Sequence, residues 1–505
     1  MVDDLIRARW EKLTRLRELG VEPYKDGFSV SHSLKAALAE PDGTPVRVAG
    51  RLMTLRKFGK LAFAHLQDGS GQGQVSFQAD LLPAAEMEQA SKLLDLGDVV
   101  GIEGFLWTTR KGEKTVQTER FALLSKALRP LPEKWHGLKD GEARARRRYL
   151  DLIANEATRE VFLRRSGIVS FMRRFLEASD FLEVETPMLQ AAASGAAARP
   201  FVTRHTALDR DLFLRVAPET YLKRLLVGGL ERVYELGKNF RNEGIDASHL
   251  QEFTMLEWYA AYWNYRDNMR FVQDLVQSVV REFCAGTQVR FQGQLLEFGG
   301  DWPEISYVEA VQEATGIDVL EHSTRESLAA EVQARLPDVD AAAYPSLPAL
   351  VDGLYKTTVR PRLVQPCFLT HHPAELVPLA RRSSTDPRVL DMFQVLVGSW
   401  EIVKGYSELI DPEEQYRRMS DQRDYRASGD EETMMTERDY IECMEYGMPP
   451  NSGVGLGVDR LVALLTENET LRSVVFFPSL RDDRREERLV VESLAQSGES
   501  GDEET

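Results

Sequence analysis

Residues 448–465 read MPPNSGVGLGVDRLVALL, and no other stretch restricts the fold as much. Gly453, Gly455 and Gly457 alternate, so on a strand all three face one side. A strand face without side chains is a flat floor on which a planar group can lie against backbone. Asp459 and Arg460 then open an apolar helix, which puts a guanidinium at the end of that floor. The spacing fails the dinucleotide pattern GxGxxG, because Val458 stands where the third glycine belongs, and there is no Walker GKS or GKT.

Residues 233–262, VYELGKNFRNEGIDASHLQEFTMLEWYAAY, read as two strand-like runs around a polar segment. Alternation puts Phe253, Met255, Glu257 and Tyr259 on one face of the second run. Arg241 and Glu243 share a face at the end of the first. An arginine held there can grip a phosphate with two parallel hydrogen bonds. So polar a strand face is costly to bury against an apolar core, which favours a site over a plain exposed hairpin. In VGSWEIVKGYSELIDPEEQ, 397–415, Lys404, Tyr406 and Glu408 share a face and Glu401 has the opposite parity. For all four to meet one cavity the strand must bulge, and Gly405 is the expected place. FLEVETPML, 181–189, alternates until Pro187, which cannot donate to a ladder and so ends the strand or keeps it at an edge.

The chain has 505 residues, with 63 Lys plus Arg against 80 Asp plus Glu. The net charge of −17 excludes a protein that coats nucleic acid by bulk charge, but not one with local basic patches. No run of about 18 apolar residues is present, so no membrane-spanning helix is expected. The start, MVDDLIRARWEK, is charged and amphipathic and does not read as a signal peptide. Cys284, Cys367 and Cys443 are odd in number and widely spaced, which fits a reducing cytoplasm rather than a disulfide framework or a zinc–thiolate site.

Five segments follow from the pattern. Residues 1–45 form an N-terminal helical extension, with Ile6, Trp10, Leu13, Leu16 and Leu19 near one stripe. Two readings stand for it, packing on a neighbouring domain or contact with RNA. Residues 46–130 carry short β-rich runs around a helical stretch, the pattern of a five-stranded oligonucleotide-binding (OB) barrel. There Phe63 is either core or a base-stacking platform on a face with Leu61 and His65. Residues 131–160 are a linker, in which Arg144, Arg146, Arg147 and Arg148 form either a solvated face or a phosphate contact. Residues 161–490 mix helices and strands, and 491–505 form an acidic tail expected to be disordered.

Taken together, these residues resemble the lysyl-tRNA synthetases, in the branch of class II aminoacyl-tRNA synthetases shared with the aspartyl and asparaginyl enzymes. FLEVETP is similar to the first motif, a dimer-interface element. FRNEG, His249 and EFTMLE are similar to the second, and GLGVDR to the third. ASGAAARPF (193–201) and RVAPETYLKRLLVGG (215–229) resemble the amino-acid pocket, and RPLPEKWHGLKD and RRRYLDLI resemble the links before the catalytic domain. The resemblance implies an α+β fold: an antiparallel-sheet class II synthetase catalytic domain with helices, preceded by an N-terminal five-stranded OB-type β-barrel. It also implies a helical insertion near 263–360.

By the same resemblance the activity is lysine–tRNA ligation in the cytoplasm by a homodimer, with ATP, L-lysine and tRNA(Lys) as partners and no membrane. Arg241, Glu243 and Arg460 are implied as catalytic. ATP falls to Arg241, Glu243, His249, Phe253, Glu401, Gly455, Gly457 and Arg460, with Phe253 stacking on adenine and Arg460 on its other side. Lysine falls to Gly195, Glu219, Glu257, Tyr259, Lys404, Tyr406 and Glu408, with Glu219 on the α-ammonium and Glu408 and Tyr259 on the side-chain ammonium. A carboxylate about 3 Å from an ammonium attracts it by roughly 5 kcal/mol before desolvation at an effective dielectric near ~20. Two or three Mg²⁺ ions are implied, on Glu401 and Glu408 and weakly on Gln394. Arg56, Phe63, Gln74 and Glu119 are implied as anticodon contacts.

The chain departs from the family's pattern at a few places. Gln394 stands for a usual carboxylate, and an amide oxygen is the weaker Mg²⁺ ligand. Lys404 stands for a usual Asn and could pair with Glu408 or Glu219. Ser248, Leu250 and Gln251 replace a more usual Arg, Asn and Pro. The rival readings are an aspartyl or asparaginyl enzyme, a protein-lysylating paralogue and a non-catalytic RNA-binding homologue. Glu408 and Glu219, the strand-rich segment 46–128, and the intact set Arg241, Glu243, Glu401 and Arg460 argue against them in turn.

Overall fold

The computed structural model describes residues 2–132, 140–244, 246–427, 435 and 437–481. The tail at 491–505 and linker residues 133–139 lie outside the described residues. The rest divides into two compact units, one ending at residue 132 and one running from 140 to 481.

The first unit opens with α1 (Val2–Glu18), which buries Leu13 and Leu16. Arg9 fixes it, its guanidinium donating to the carbonyls of Leu96, Ala127 and Arg129. Of the two readings of this stripe, the helix therefore takes packing; Leu19 falls beyond its end and is exposed. After α2 (Leu34–Ala39) come β1 (Pro45–Phe58), β2 (Leu61–Gln67), β3 (Gln72–Gln78), α3 (Ala84–Lys92), β4 (Val99–Thr108) and β5 (Lys114–Ser125). The strands pair in the order β1-β2-β3-β5-β4, and β4 returns to β1, closing a ring. Alternation sends Ala62, Ala64 and Leu66 into the core with Val75, Phe77 and Ile102, and leaves Phe63 and His65 half-buried on the outer face.

The second unit starts with α4 (Gly141–Arg146), α5 (Arg148–Ala154) and α6 (Glu156–Glu177). The arginine-rich run here is neither a solvated face nor a free phosphate contact throughout. Arg144 and Arg148 turn inward to the fully buried Asp151, at 2.9 and 2.7 Å, and Arg146 pairs with Glu142. FLEVETPML is broken into β6 (Leu182–Glu183) and β7 (Leu189–Gln190), because Pro187 interrupts the ladder. Next come β8 (Val202–His205), β9 (Arg210–Leu214), α7 (Glu219–Val227), β10 (Arg232–Phe240), β11 (Glu252–Ala261) and α8 (Tyr265–Phe283).

Then follow β12 (Gln288–Phe291), β13 (Gln294–Glu297), β14 (Glu304–Ser306), α9 (Tyr307–Thr315), α10 (Arg325–Arg335) and α11 (Leu347–Thr358). The 263–360 segment is thus not helical throughout: it holds the β12–β13 hairpin and gives β14 to the main sheet. The chain closes with β15 (Cys367–Thr370), β16 (Met392–Val397), β17 (Trp400–Ser407), α12 (Pro412–Ala427), α13 (Arg438–Glu445), β18 (Asn451–Gly457) and α14 (Val458–Leu465).

The main sheet has eight strands in the order β14-β15-β16-β17-β18-β11-β10-β6, antiparallel except for the outermost pair at each edge. Even-numbered residues of β11, Leu256, Trp258 and Ala260, face a core built from α6, α8 and α14. Ile168, Met172 and Leu176 recur every four residues on α6, the spacing that buries one stripe of a helix. On α8 a reciprocal cap between Asn264 and Asp267 sets the first turn. The odd-numbered residues of β11 are left to the opposite face. Asp459 ties α14 to β11 and α6: its Oδ2 accepts from the Thr254 N–H at 2.8 Å and its Oδ1 lies 2.6 Å from Arg165.

Asp459→Ala would take the counter-charge from the largely buried Arg165, which would keep only the Val474 carbonyl and the Thr254 hydroxyl, and would leave the Thr254 N–H without its acceptor. It should destabilise the unit by about 3–5 kcal/mol, the usual cost of breaking a buried pair, read as a lower midpoint in denaturant unfolding.

Candidate active site

Strand register assembles the open face of the main sheet. Glu257 stands opposite Gly455, Gly455 opposite Lys404, and Lys404 opposite Gln394, so four neighbouring strands contribute one row. The next row is Tyr259, Gly453 and Tyr406. A cavity of about 270 Å³ lies over these rows. Gly453 is obligatory, since a Cβ there would fall 2.1 Å from a ring carbon of Tyr259 and 2.6 Å from a Glu408 oxygen. The glycine floor thus serves two neighbours, with Gly455 and Gly457 under one end of the cavity and Gly453 making room for an acid at the other.

That other end is an acid cage. Glu219 begins α7, is nearly fully buried, and accepts from the Tyr406 hydroxyl at 2.7 Å. One turn later Lys223 approaches Glu219 Oε1 at 2.6 Å and also pairs with Glu408. Burial would strip Lys223 of its proton, but Glu219 and Glu408 outweigh it and hold the ammonium charged. Glu257 has no such partner among the described residues; burial, with the Glu219 charge added, pushes its carboxyl up to about 8. The Tyr259 hydroxyl donates to Glu257 at 3.3 Å. Gly195, from the loop before β8, closes the cavity beside Glu219.

Two expectations change here. Lys404 pairs with neither Glu408 nor Glu219; the cation between those carboxylates is Lys223. Glu408 does not join Glu401 as a metal ligand, because it follows the end of β17 and points to Lys223 beside Gly453, whereas Glu401 contacts Gln394. The bulge is also elsewhere. Val395 faces Val403 and Leu396 faces Glu401, so Ile402 is the extra residue, while Gly405 pairs regularly with Phe393 and Val454. The bulge turns Glu401 to the cavity that Lys404 and Tyr406 also line.

At the far end, Arg241 lies beyond the end of β10 rather than on a strand face, and its N–H donates to the Gln251 carbonyl at 2.8 Å. Its guanidinium stacks on Phe253, 5.1 Å from the ring centre, and its buried Nε has no partner among the described residues. Arg460 is anchored by a 2.7 Å bond to the Glu401 carbonyl and reaches His249 at 3.3 Å. Glu243 and His249 line the same cavity.

Burial works to raise the Glu401 carboxyl, but Lys404, Arg460, Arg360 and Lys356 outweigh it, and the group ends below its ordinary value. Gln394 bridges Glu401 to the buried His372, whose ring is driven down to about 3 by burial and so stays neutral. For a divalent cation this donor set fits one that also takes phosphate oxygens: Glu401 supplies a charged oxygen, and the Gln394 oxygen already accepts from His372. Among the described residues no group of three His, Cys, Asp or Glu is placed to hold a metal ion.

In the first unit, register puts Arg56, Phe63, Ser76 and Gln117 in one row and Thr54, His65, Gln74 and Thr115 in the next. Gln74 is nearly buried, its Oε1 accepting from the Thr115 hydroxyl at 2.8 Å. Glu119 sits exposed at a bulge of β5, further along the face of Thr115 and Gln117. The four residues expected to meet an anticodon are therefore on one surface, and His65, held by Thr54 and near Glu113, joins them.

Residues 140–481 match the family of class II tRNA synthetases (D, K and N), and residues 46–124 match the OB-fold nucleic acid binding domain. The chain belongs to the class II tRNA synthetases of this group. It is 45% identical to the lysine–tRNA ligase of Pelotomaculum thermopropionicum over 95% of both chains. It is 46% identical to that of Dehalococcoides mccartyi and 45% to that of Syntrophomonas wolfei, over 95% of this chain and 98% and 97% of theirs.

Sequence reasoning missed Lys223, Gly453 as a cage residue, and the tie that Asp459 makes to Thr254 and Arg165. The Glu219–Lys223 spacing of four was a visible signal, since it places both side chains on one helix face. Gly453→Ala should cut amino-acid-dependent ATP–pyrophosphate exchange about ten- to a hundredfold, the ~1–3 kcal/mol of an overpacked methyl, with the KM for ATP little changed.

Proposed function

We propose that this chain is a lysine–tRNA ligase, activating L-lysine with ATP and passing it to the 3′ end of tRNA(Lys). The observation that carries the reading is the cage of Glu219, Glu257 and Glu408, walled by Tyr259 and Tyr406, at one end of a cleft whose other end holds arginines over a glycine floor. An aspartate or asparagine side chain would bring no positive charge to three buried acids.

In the first step a lysine carboxylate oxygen attacks the α-phosphorus in line. The bond to the bridging oxygen breaks and pyrophosphate leaves. Arg241 neutralises the charge that builds on the α-phosphate, with Arg460 holding the nucleotide over Gly455 and Gly457. Phe253 offers a ring for adenine, with Glu243 and His249 at its edge. A terminal ribose hydroxyl then attacks the adenylate carbonyl and AMP leaves. Bound Mg²⁺ would screen the phosphate charge, and Glu401 is the carboxylate this chain offers it. Glu219 takes the α-ammonium, and Glu257 with Tyr259 takes the side-chain ammonium, while Glu408 stands behind them on Lys223.

The outer face bearing Phe63, Arg56, Gln74 and Glu119 reads the anticodon by stacking and edge contacts. The chain acts as a homodimer, a reading supported by the exposed apolar residues Leu182, Met188, Leu189, Val202 and Leu208 around the broken first motif. It works in the cytoplasm; its three cysteines are unpaired, and no described helix is long and apolar enough to cross a membrane.

ATP–pyrophosphate exchange by the purified chain should depend on lysine and not on aspartate or asparagine, and Arg241→Ala should abolish it. Exchange driven by aspartate, or normal exchange in the variant, would overturn the reading. The binding step should also depend on pH. Glu257 starts protonated below about 8, and a cationic guest favours its ionised form, so binding expels a proton. Lysine affinity should rise by up to about tenfold per pH unit until it levels near 8, and Glu257→Gln should flatten the slope, as read by calorimetry.

A further inference from the structure

Lys223 takes no part in the reaction as described, yet it occupies the most guarded position in the pocket. Its side chain is fully buried. Glu219 faces it from its own helix, α7, and Glu408 faces it from the chain just after β17. The rings of Tyr259 on β11, Tyr406 on β17 and Tyr440 on α13 surround its Nζ at 6.0, 5.8 and 5.8 Å. Glu257 acts on the group through Glu219. Carboxylates and aromatic faces are what the ammonium of a guest needs as well. Glu219, Tyr259 and Tyr406 line the cavity, whereas Lys223 and Glu408 do not.

A charge count gives this arrangement a purpose. Three carboxylates meet at this end, and the described residues supply one ammonium to them. Two carboxylates remain, and a diamino acid brings two ammonium groups. An amino acid with a neutral side chain brings one and leaves a buried acid without a partner. We propose that Lys223 is a specificity-determining positioning residue: an internal ammonium that ties Glu219 to Glu408, balances one of three gathered carboxylates, and sets the pocket for a guest with two ammonium groups. The proposal rests on the lysine–tRNA ligase reading and deepens it, since it gives the charge of the accepted side chain a cause beyond the acids themselves.

The test uses the full chain and Lys223→Met, which keeps an unbranched side chain of similar length and removes the charge. Exchange is measured with lysine and with norleucine, which lacks the side-chain ammonium. The variant should raise the KM for lysine at least about tenfold and lower the preference for lysine over norleucine by a similar factor, as expected when a buried charge loses its partner. The KM for ATP should stay within about twofold, because that end of the cleft is untouched. Norleucine exchange should stay within about twofold of the parent chain, because a neutral side chain does not draw on the charge balance of the cage. A loss of packing alone would weaken both amino acids alike.

An unchanged lysine KM and preference, or lysine and norleucine weakened alike, would overturn the proposal. If Lys223→Met does not fold, the double variant Lys223→Met with Glu408→Gln removes both charges of the buried pair. It should fold and have lost most of the lysine preference, and a double variant that keeps the parent preference would overturn the proposal too. A parent chain that fails to exchange with lysine would refute the ligase reading itself, whereas a lysine-specific parent with an indifferent Lys223→Met variant would refute only the role of Lys223.

Discussion

Buried carboxylates cost free energy to ionise, and each raises the cost for its neighbours. Glu219, Glu257 and Glu408 are all nearly fully buried and share one pocket. The structure meets this cost in three ways. Lys223 supplies a permanent counter-charge to two of the acids. The Tyr406 and Tyr259 hydroxyls donate to Glu219 and Glu257. Glu257 keeps its proton at neutral pH. A pocket in this condition is short of positive charge, and the proposed choice of amino acid follows from that shortage.

Such a pocket demands a stiff frame. The antiparallel ladder supplies it, because register fixes which side chains stand side by side across β16, β17, β18 and β11. Buried polar ties reinforce the frame at its edges. Arg215 is fully buried and pairs with Glu235 at 2.5 Å, and the Thr186 hydroxyl donates to the same carboxylate at 2.7 Å. That network fastens the segment around Pro187 and the approach to α7 onto β10, just ahead of Glu219. On the other flank Asp459 locks α14 to β11 and α6, which settles where Arg460 starts. The nucleotide end is built differently: Arg241, Glu243 and His249 come from the loop between β10 and β11, so one irregular segment carries the groups proposed to follow the phosphates.

Most of the framework could be read from the chain. Alternation identified the face of Phe253, Met255, Glu257 and Tyr259, and the structure sets Met255, Glu257 and Tyr259 opposite Gly457, Gly455 and Gly453. The resemblance on short motifs located Glu219, Arg241, Glu401 and Arg460, which all line one cavity. What escaped depended on local geometry. A bulge belongs to the pairing of two strands, so neither strand's residues alone showed that Ile402, not Gly405, is the extra one. Arg241 was read on a strand because parity cannot tell where a strand stops.

Pattern and residue type therefore determined the elements, the face each strand offers, and the acidic and aromatic character of the site, because those depend on neighbours a few residues apart. Only the tertiary structure decided which charge answers which. Glu408 and Lys223 are 185 positions apart, and their pairing, with Lys404 left to Glu401, arises because helix α7 packs on β10 and β11 within reach of the residue that follows β17. Electrostatic partners are set by distances of a few ångströms in space, and those are known only after the sheet has closed over the pocket.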